Sequence, residues 1–286
     1  MRGDTFYVGS TEDGTIYRGE LDEEVATPFL LPGNPEGRTF AVGMKVHGRT
    51  LFVAGGPTGK VFAYDLRSGR LVGQWSVPNP PDPASPEDPA TATFLNDIAI
   101  SDDGDVYVTD SLRPFLYRID DDDRRTRGVE TLETFLGFDG TPLVYQGPPN
   151  PFNVNGIAVS RDDRYLVVAQ SNTGTLFRIG IQDRSVTPVE LAEPVAGDGL
   201  VLDGRTLYVV ERRGDVGNVV QIRLDRRLTE GTIQRRLTDP TFVDPTTAAL
   251  VGRSLLVVNS QFGARPPEGS PTPPFTVSRV RLPHGH

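Results

Sequence analysis

Apolar and polar residues alternate along most of this chain in short runs, separated by turns rich in Gly, Asp and Asn. A period of two marks half-buried strands, and no segment sustains a helical period over three turns. Six segments read as an apolar strand, a polar turn and a second strand: 5–21, 50–66, 105–121, 165–181, 206–224, and 254–262 completed after a long loop by 275–282. A further short strand precedes five of these hairpins, in "VGMKVHGR", "NDIAISDDG", "NGIAVSRDD", "DGLVLDGR" and "TTAALVGR". A fourth candidate strand follows five of them: "ATPFLL", "LVGQWSV", "VETLETFLGF", "VTPVEL" and "TIQRRL". The inner-strand anchors Gly43, Asn96, Asn155, Asp198 and Thr246 lie 53, 59, 43 and 48 residues apart. Four strands per unit at this spacing predict an all-β, six-bladed β-propeller, with residues 1–286 as one domain.

Two strands are missing from the pattern. The first blade has no inner strand before Thr5, and the sixth has no outer strand after "RVRLP". One stretch ahead of the first hairpin would supply both, so the natural chain is expected to extend upstream of Met1. The alternative is an open edge on each of the two blades, a liability for strand-to-strand association.

The first residue of each inner strand is expected at one mouth of a central channel. Those positions hold Asn96, Asn155 and Asp198, beside the less polar pairs Val42-Gly43 and Thr246-Thr247. Three consecutive blades then offer side-chain oxygens, which suit a hard divalent cation: Ca²⁺ first, with Mg²⁺ or Mn²⁺ as alternatives. The competing reading is local: Asn or Asp before a strand also forms an Asx turn with its own backbone. The hairpin turns open on the same face and put Glu12, Asp110, Gln170, Asn172, Glu211 and Gln261 on its rim. Of these Asp110, Gln170 and Glu211, with Asn96, are the candidate substrate-binding groups. Two Pro-rich loops, 78–90 and 146–152, enter this face as either gates or rigid connections.

Composition narrows the chemistry further. Lys and Arg number 29 against 38 Asp and Glu, a formal charge of −9, which opposes binding to nucleic acid through phosphate contacts. There is no cysteine, which excludes thiolate metal sites and a Cys nucleophile. The only histidines are His47, His284 and His286, none of them at an inner-strand start, which opposes a Ser–His triad. No apolar run is long enough to span a bilayer, and the opening "MRGDTFYVGS" does not read as a signal peptide. The compartment stays open: cytoplasmic as the chain begins, exported if an upstream segment precedes it. The expected partner is a small molecule, with no nucleic acid and no membrane, and the expected state a monomer. The single Trp75 lies in an outer strand, so no aromatic cage is evident.

"FLNDIAI", "NVNGIAV" and "NGIAVSRDDRYLVVAQSNTGTLFRI" resemble strands of the senescence-marker-protein/gluconolactonase/luciferin-regenerating family of six-bladed propellers. The resemblance runs over essentially the whole chain. It implies an axial divalent cation held by a Glu, one or two Asn and an Asp. Asn155 would then be a metal ligand, Asp198 both ligand and general base or nucleophile, and Asn96 a ligand or a holder of substrate oxygen. The family's Glu, in a "PEG"-type start of the first inner strand, has no counterpart here. The expected activity is metal-dependent hydrolysis of a small lactone, ester or phosphoester. A non-catalytic binding propeller with a structural calcium is the alternative; redox chemistry of the superoxide-dismutase kind lacks the His or Cys ligands it needs.

Overall fold

The computed structural model describes residues 4–32, 36–82, 88–123, 126, 128–213, 216–264 and 269–283. The chain divides into two compact units, residues 1–155 and 156–286. Each is built from sheets in which, one strand of unit 1 apart, consecutive strands are antiparallel hydrogen-bonded neighbours.

Unit 1 holds three sheets. Sheet 1 has the order β1 (Thr5–Gly9), β2 (Ile16–Glu20), β3 (Thr27–Leu30). Sheet 2 runs from β4 (Met44–His47) through β5 (Thr50–Ala54) and β6 (Lys60–Asp65) to β7 (Leu71–Ser76). Sheet 3 comprises β8 (Leu95–Ile100), β9 (Val106–Asp110) and β10 (Phe115–Ile119). The predicted fourth strand "VETLETFLGF" is not one element. It splits into β11 (Val129–Thr131) and β12 (Glu133–Gly137). β12 closes sheet 3, while β11 adds to sheet 2 in parallel with β7. Between them Leu132 is buried in the core, with its N–H bonded to the Ser76 carbonyl at 2.8 Å. A strand's alternation says which face is apolar, and does not say which neighbour it pairs with.

In unit 2, sheet 4 contains β13 (Val154–Val159), which begins in the last residues of unit 1, then β14 (Tyr165–Gln170), β15 (Thr175–Gly180) and β16 (Val186–Pro188). Sheet 5 contains β17 (Gly197–Asp203), β18 (Thr206–Arg213), β19 (Val216–Leu224) and β20 (Gly231–Leu237). Sheet 6 has β21 (Pro245–Val251), β22 (Ser254–Asn259) and β23 (Thr276–Arg281). All six predicted hairpins form. Sheets 1 and 6 have three strands among the described residues, as the pattern anticipates. His284 and His286 lie outside the described residues.

β-Branched and aromatic residues populate these strands because their side chains pack well on a pleated surface. Both faces of most sheets are covered, so the middle strands carry near-continuous apolar runs. In unit 1, one core cluster joins sheets 2 and 3 through Phe52, Trp75, Ile98 and Tyr117, and another joins sheets 1 and 2 through Ile16, Leu51 and Phe62. In unit 2, Val167, Leu200 and Val209 join sheets 4 and 5, while Val219, Leu255 and Val257 join sheets 5 and 6. Each such side chain contributes about 1.5–3 kcal/mol by leaving water.

Glycine just before or early in an inner strand, as at Gly43, Gly156 and Gly199, lets neighbouring first strands approach. A Cβ at Gly43 would lie 2.5 Å from the Asn96 carbonyl oxygen, and one at Gly199 would lie 2.5 Å from Thr247 Oγ1. At Gly156 it would penetrate the Asp198 carbonyl and sit 2.9 Å from Leu200 N. The Gly in "NGI" and "DGL" is therefore a packing requirement and not a turn former.

Candidate functional site

The inner-strand starts are set by loops, and the loops are set by a repeated polar brace. Asp110, Glu211 and Asn259 occupy equivalent places near the ends of β9, β18 and β22. Asp110 Oδ1 accepts from the N–H groups of Phe94, Leu112 and Arg113 at 2.9, 3.0 and 3.0 Å. Its Oδ2 accepts from the Thr93 hydroxyl. Glu211 Oε1 accepts from Ala196 N at 3.1 Å, and its Oε2 from Arg236. Asn259 Oδ1 accepts from Val243 N at 3.0 Å, and its amide donates to the Thr241 carbonyl. In each case at least one bond reaches backbone just before the inner strand of the same sheet: Phe94, Ala196, and Thr241 with Val243. These side chains fix where Asn96, Asp198 and Thr246 begin.

Sequence position puts Asp110, Gln170 and Glu211 on a rim facing ligand. The structure buries them, with exposures of 0%, 2% and 3%. Burial pushes the Asp110 carboxyl up from its ordinary 3.8, while the three N–H donors and Thr93 pull against it. Gln261 is likewise turned to structure: its amide donates to the Thr272 carbonyl at 2.9 Å and accepts from Thr272 N at 2.7 Å, closing the long loop before β23. Glu12 lies exposed in the first hairpin turn and Asn172 is half-buried in the fourth.

The two Pro-rich loops are anchored at their bases. Arg113 donates from Nε to the Ala92 carbonyl at 3.0 Å, from Nη1 to Pro78 at 2.7 Å and from Nη2 to Asn79 at 2.9 Å. It also reaches the Thr91 carbonyl, so one guanidinium gathers both ends of the first loop. Buried Asn153 closes the second by accepting from Gln146 N at 2.7 Å and donating to the Pro151 carbonyl at 2.7 Å. Neither anchor stands out in the sequence, where an Arg in a turn and an Asn after Pro-Phe look like ordinary loop residues.

Asn96 is 8% exposed, and its Nδ2 donates to Ser111 Oγ at 2.9 Å. Ser111 Oγ in turn donates to the Val154 carbonyl at 2.7 Å, which fixes the direction of the amide. Asn96 Oδ1 is thereby left without a donor among the described residues. Asn155 is half-buried; its carbonyl accepts from Thr109 Oγ1 at 2.7 Å, and its side-chain amide has no hydrogen-bond partner among the described residues. Asp198 is half-buried in β17, with Gly156, the neighbour of Asn155, against its carbonyl. Amide and carboxylate oxygens are the ligand type that hard cations take. Among the described residues no group of three or more His, Cys, Asp or Glu that could hold a metal ion lies together.

Two features of these strands escape sequence reading. Asp97 is a buried carboxylate where the sister strands have Gly156 and Gly199, and its Oδ1 accepts from Ile98 N at 2.8 Å. The signal is visible afterwards in "NDI" against "NGI" and "DGL". Near it, Phe40, Val42 and Phe94 converge on Gly56, and Phe94 packs edge-on against Phe152 with ring centroids 5.1 Å apart. This aromatic surface stands beside Asn96 in unit 1.

No family model matches the chain, and no curated protein matches it. Solved structures do. The major Malassezia sympodialis allergen Mala s 1 is similar over 97% of this chain and 89% of its own, with a TM-score of 0.64 and 14% identity. The Swd1 β-propeller domain of Myceliophteria thermophila is similar over 99% and 83%, with a TM-score of 0.56 and 14% identity. A candidate 6-phosphogluconolactonase of Bacteroides fragilis is similar over 97% and 81%, with a TM-score of 0.56 and 15% identity. At such identities the likeness is one of fold. The chain is an all-β, six-bladed β-propeller.

Proposed function

We propose that this propeller hydrolyses a small lactone, ester or phosphoester at the starts of its inner strands, using a divalent cation, calcium before magnesium or manganese. The observation that carries this reading is the pair of amides whose oxygens are left open by the fold. Asn96 has its Nδ2 committed and its Oδ1 available, and the Asn155 side chain is uncommitted. A half-buried amide without a partner costs stability unless a ligand or solvent satisfies it. The likeness of "FLNDIAI" and "NVNGIAV" to the senescence-marker-protein/gluconolactonase family supports the same reading, as does a lactonase candidate among the fold neighbours.

In this account Asn155 and Asp198 hold the cation and Asn96 holds it or the substrate oxygen. When bound, the cation would polarise the reacting carbonyl or phosphoryl oxygen. Asp198 acts as general base: it takes the proton of the attacking water and returns it to the leaving alkoxide as the ester bond breaks. Direct attack by the carboxylate is the other route open to the same residue. Asp110 and Glu211 act at one remove, by fixing the loops that lead into the strands.

One observation favours a second reading, a propeller that binds without catalysis. Two of the acids near the inner-strand starts of sheets 3 and 5, Asp110 and Glu211, are engaged as braces. The fold itself does not select between the two. A panel of lactones, nitrophenyl esters and nitrophenyl phosphates assayed in millimolar calcium separates them. Hydrolysis that falls by about 100-fold or more in Asp198→Asn supports the enzyme, on the scale typical for loss of a general base. No turnover of the panel, with calcium still raising the melting temperature, supports the binding propeller.

A further inference from the structure

Unit 1 contains a cleft between sheets 1 and 2, at the end of β4 opposite Gly43. It encloses about 400 Å³ and is lined by Thr5, Tyr7, Arg18, Arg49, Leu66 and Arg67. We propose that this cleft is a binding site, separate from the inner-strand starts, for a small organic anion that carries its charge beside a flat apolar group. Three guanidiniums from three different segments surround one concavity, in a chain whose formal charge is −9. Arg18 comes from β2, Arg49 from the turn before β5, and Arg67 from the turn after β6.

Their pairing leaves charge to spare. Arg18 donates to Glu20 at 2.6 Å, and Glu20 is also held by the Thr5 hydroxyl at 2.8 Å. Arg49 donates to Asp65 at 2.5 Å. Asp65 is the organiser of the cleft: its second oxygen accepts from the N–H groups of Arg67 and Ser68 and from the Ser68 hydroxyl, at 3.2, 2.9 and 2.8 Å. The same carboxylate thus aims Arg49 and shapes the turn that presents Arg67. The Arg67 guanidinium has no ion pair among the described residues. Glu20 and Asp65 pair with Arg18 and Arg49, and Glu23 also acts on Arg18, which leaves the Arg67 guanidinium as the uncommitted cation of a concave, partly apolar setting where field lines concentrate. A guanidinium offers paired donors to a carboxylate or phosphate.

The floor sets the rest of the ligand. Tyr7 and Leu66 are half-buried, and Tyr7 is the cross-strand partner of Arg18. A planar apolar group fits against them while its anionic head meets the arginines. Bare phosphate lacks that group and a neutral aromatic lacks the head.

Titration calorimetry with phenyl phosphate, benzoate, inorganic phosphate and benzyl alcohol tests the assignment. Saturable binding is expected for one or both aromatic anions, with phosphoryl and carboxylate heads distinguished by their two titrations. Arg67→Ala should weaken it about tenfold, the effect of losing one charged hydrogen-bonding partner. Arg67 is exposed, so the variant should keep the wild-type melting temperature. Arg161→Ala, an exposed turn arginine elsewhere, should bind as the wild type does. The proposal is overturned if neither aromatic anion binds, if inorganic phosphate or benzyl alcohol binds as tightly, or if Arg67→Ala and Arg161→Ala behave alike. Hydrolysis assays under the preceding heading do not enter this test, so each reading fails on its own measurement.

Discussion

Asp110 offers the sharpest test of how this fold holds its inner strands. Its carboxylate is wholly buried and receives three backbone N–H groups and one hydroxyl. In Asp110→Ala these donors, the N–H groups among them belonging to part-buried residues, lose an acceptor that is itself wholly buried. An unsatisfied buried group costs about 1–3 kcal/mol, so three N–H groups predict a loss of about 3–6 kcal/mol once partial relaxation is allowed. Asp110→Asn keeps the oxygen that serves the three N–H groups, and its new NH₂ can donate to Thr93 Oγ1. That variant should stay within about 1.5 kcal/mol of wild type. Equilibrium urea denaturation reads both, followed by circular dichroism and by the fluorescence of Trp75, the only tryptophan, which is buried in sheet 2. The two proteins should also differ in pH dependence. Because the folded carboxyl sits above its ordinary 3.8, the folded state binds more protons in that window. Stability of the wild type then falls as pH rises through the raised value, and Asp110→Asn lacks this slope. A cost below about 1 kcal/mol for the alanine variant, or equal costs for both, refutes the brace.

Gly156→Ala should destabilise by about 3 kcal/mol or prevent folding, since its Cβ meets backbone atoms of β17 that cannot turn aside. Gly147→Ala, which meets nothing within 4 Å, should stay within about 1 kcal/mol of wild type, and thermal melts compare the two. Asp65 is held down to about 2 by the Ser68 hydroxyl and N–H and by Arg49. A depressed folded value contributes stability above the ordinary 3.8 that disappears as pH falls towards 2, so the acid limb of a melting-temperature profile should flatten in Asp65→Asn.

The hairpins were readable because a propeller strand obeys a local rule, alternation between turns, and repeats it. Pairing is not local, which is why "VETLETFLGF" looks like one strand and serves two sheets. The inner-strand starts were readable for the same reason as the hairpins: Asn96, Asn155 and Asp198 stand at one register of a repeat. The rim was not. A polar residue after an apolar strand can point to solvent or fold back onto backbone, and the sequence around Asp110 and Glu211 is the same in both cases. Only the loop that returns to the inner strand, with Phe94 and Ala196 offering N–H groups, decides. Asp97 and the Phe94–Phe152 contact were hidden likewise, the first by a Gly-to-Asp exchange in one blade and the second by a separation of 58 residues (152 − 94).

Calcium titration by calorimetry addresses the cation site without needing a substrate. The account predicts one calcium per chain, lost in Asp198→Asn and weakened in Asn155→Ala, with Asp110→Asn binding as wild type does. Calcium that does not bind, or that binds equally to the wild type and to both variants, would contradict it.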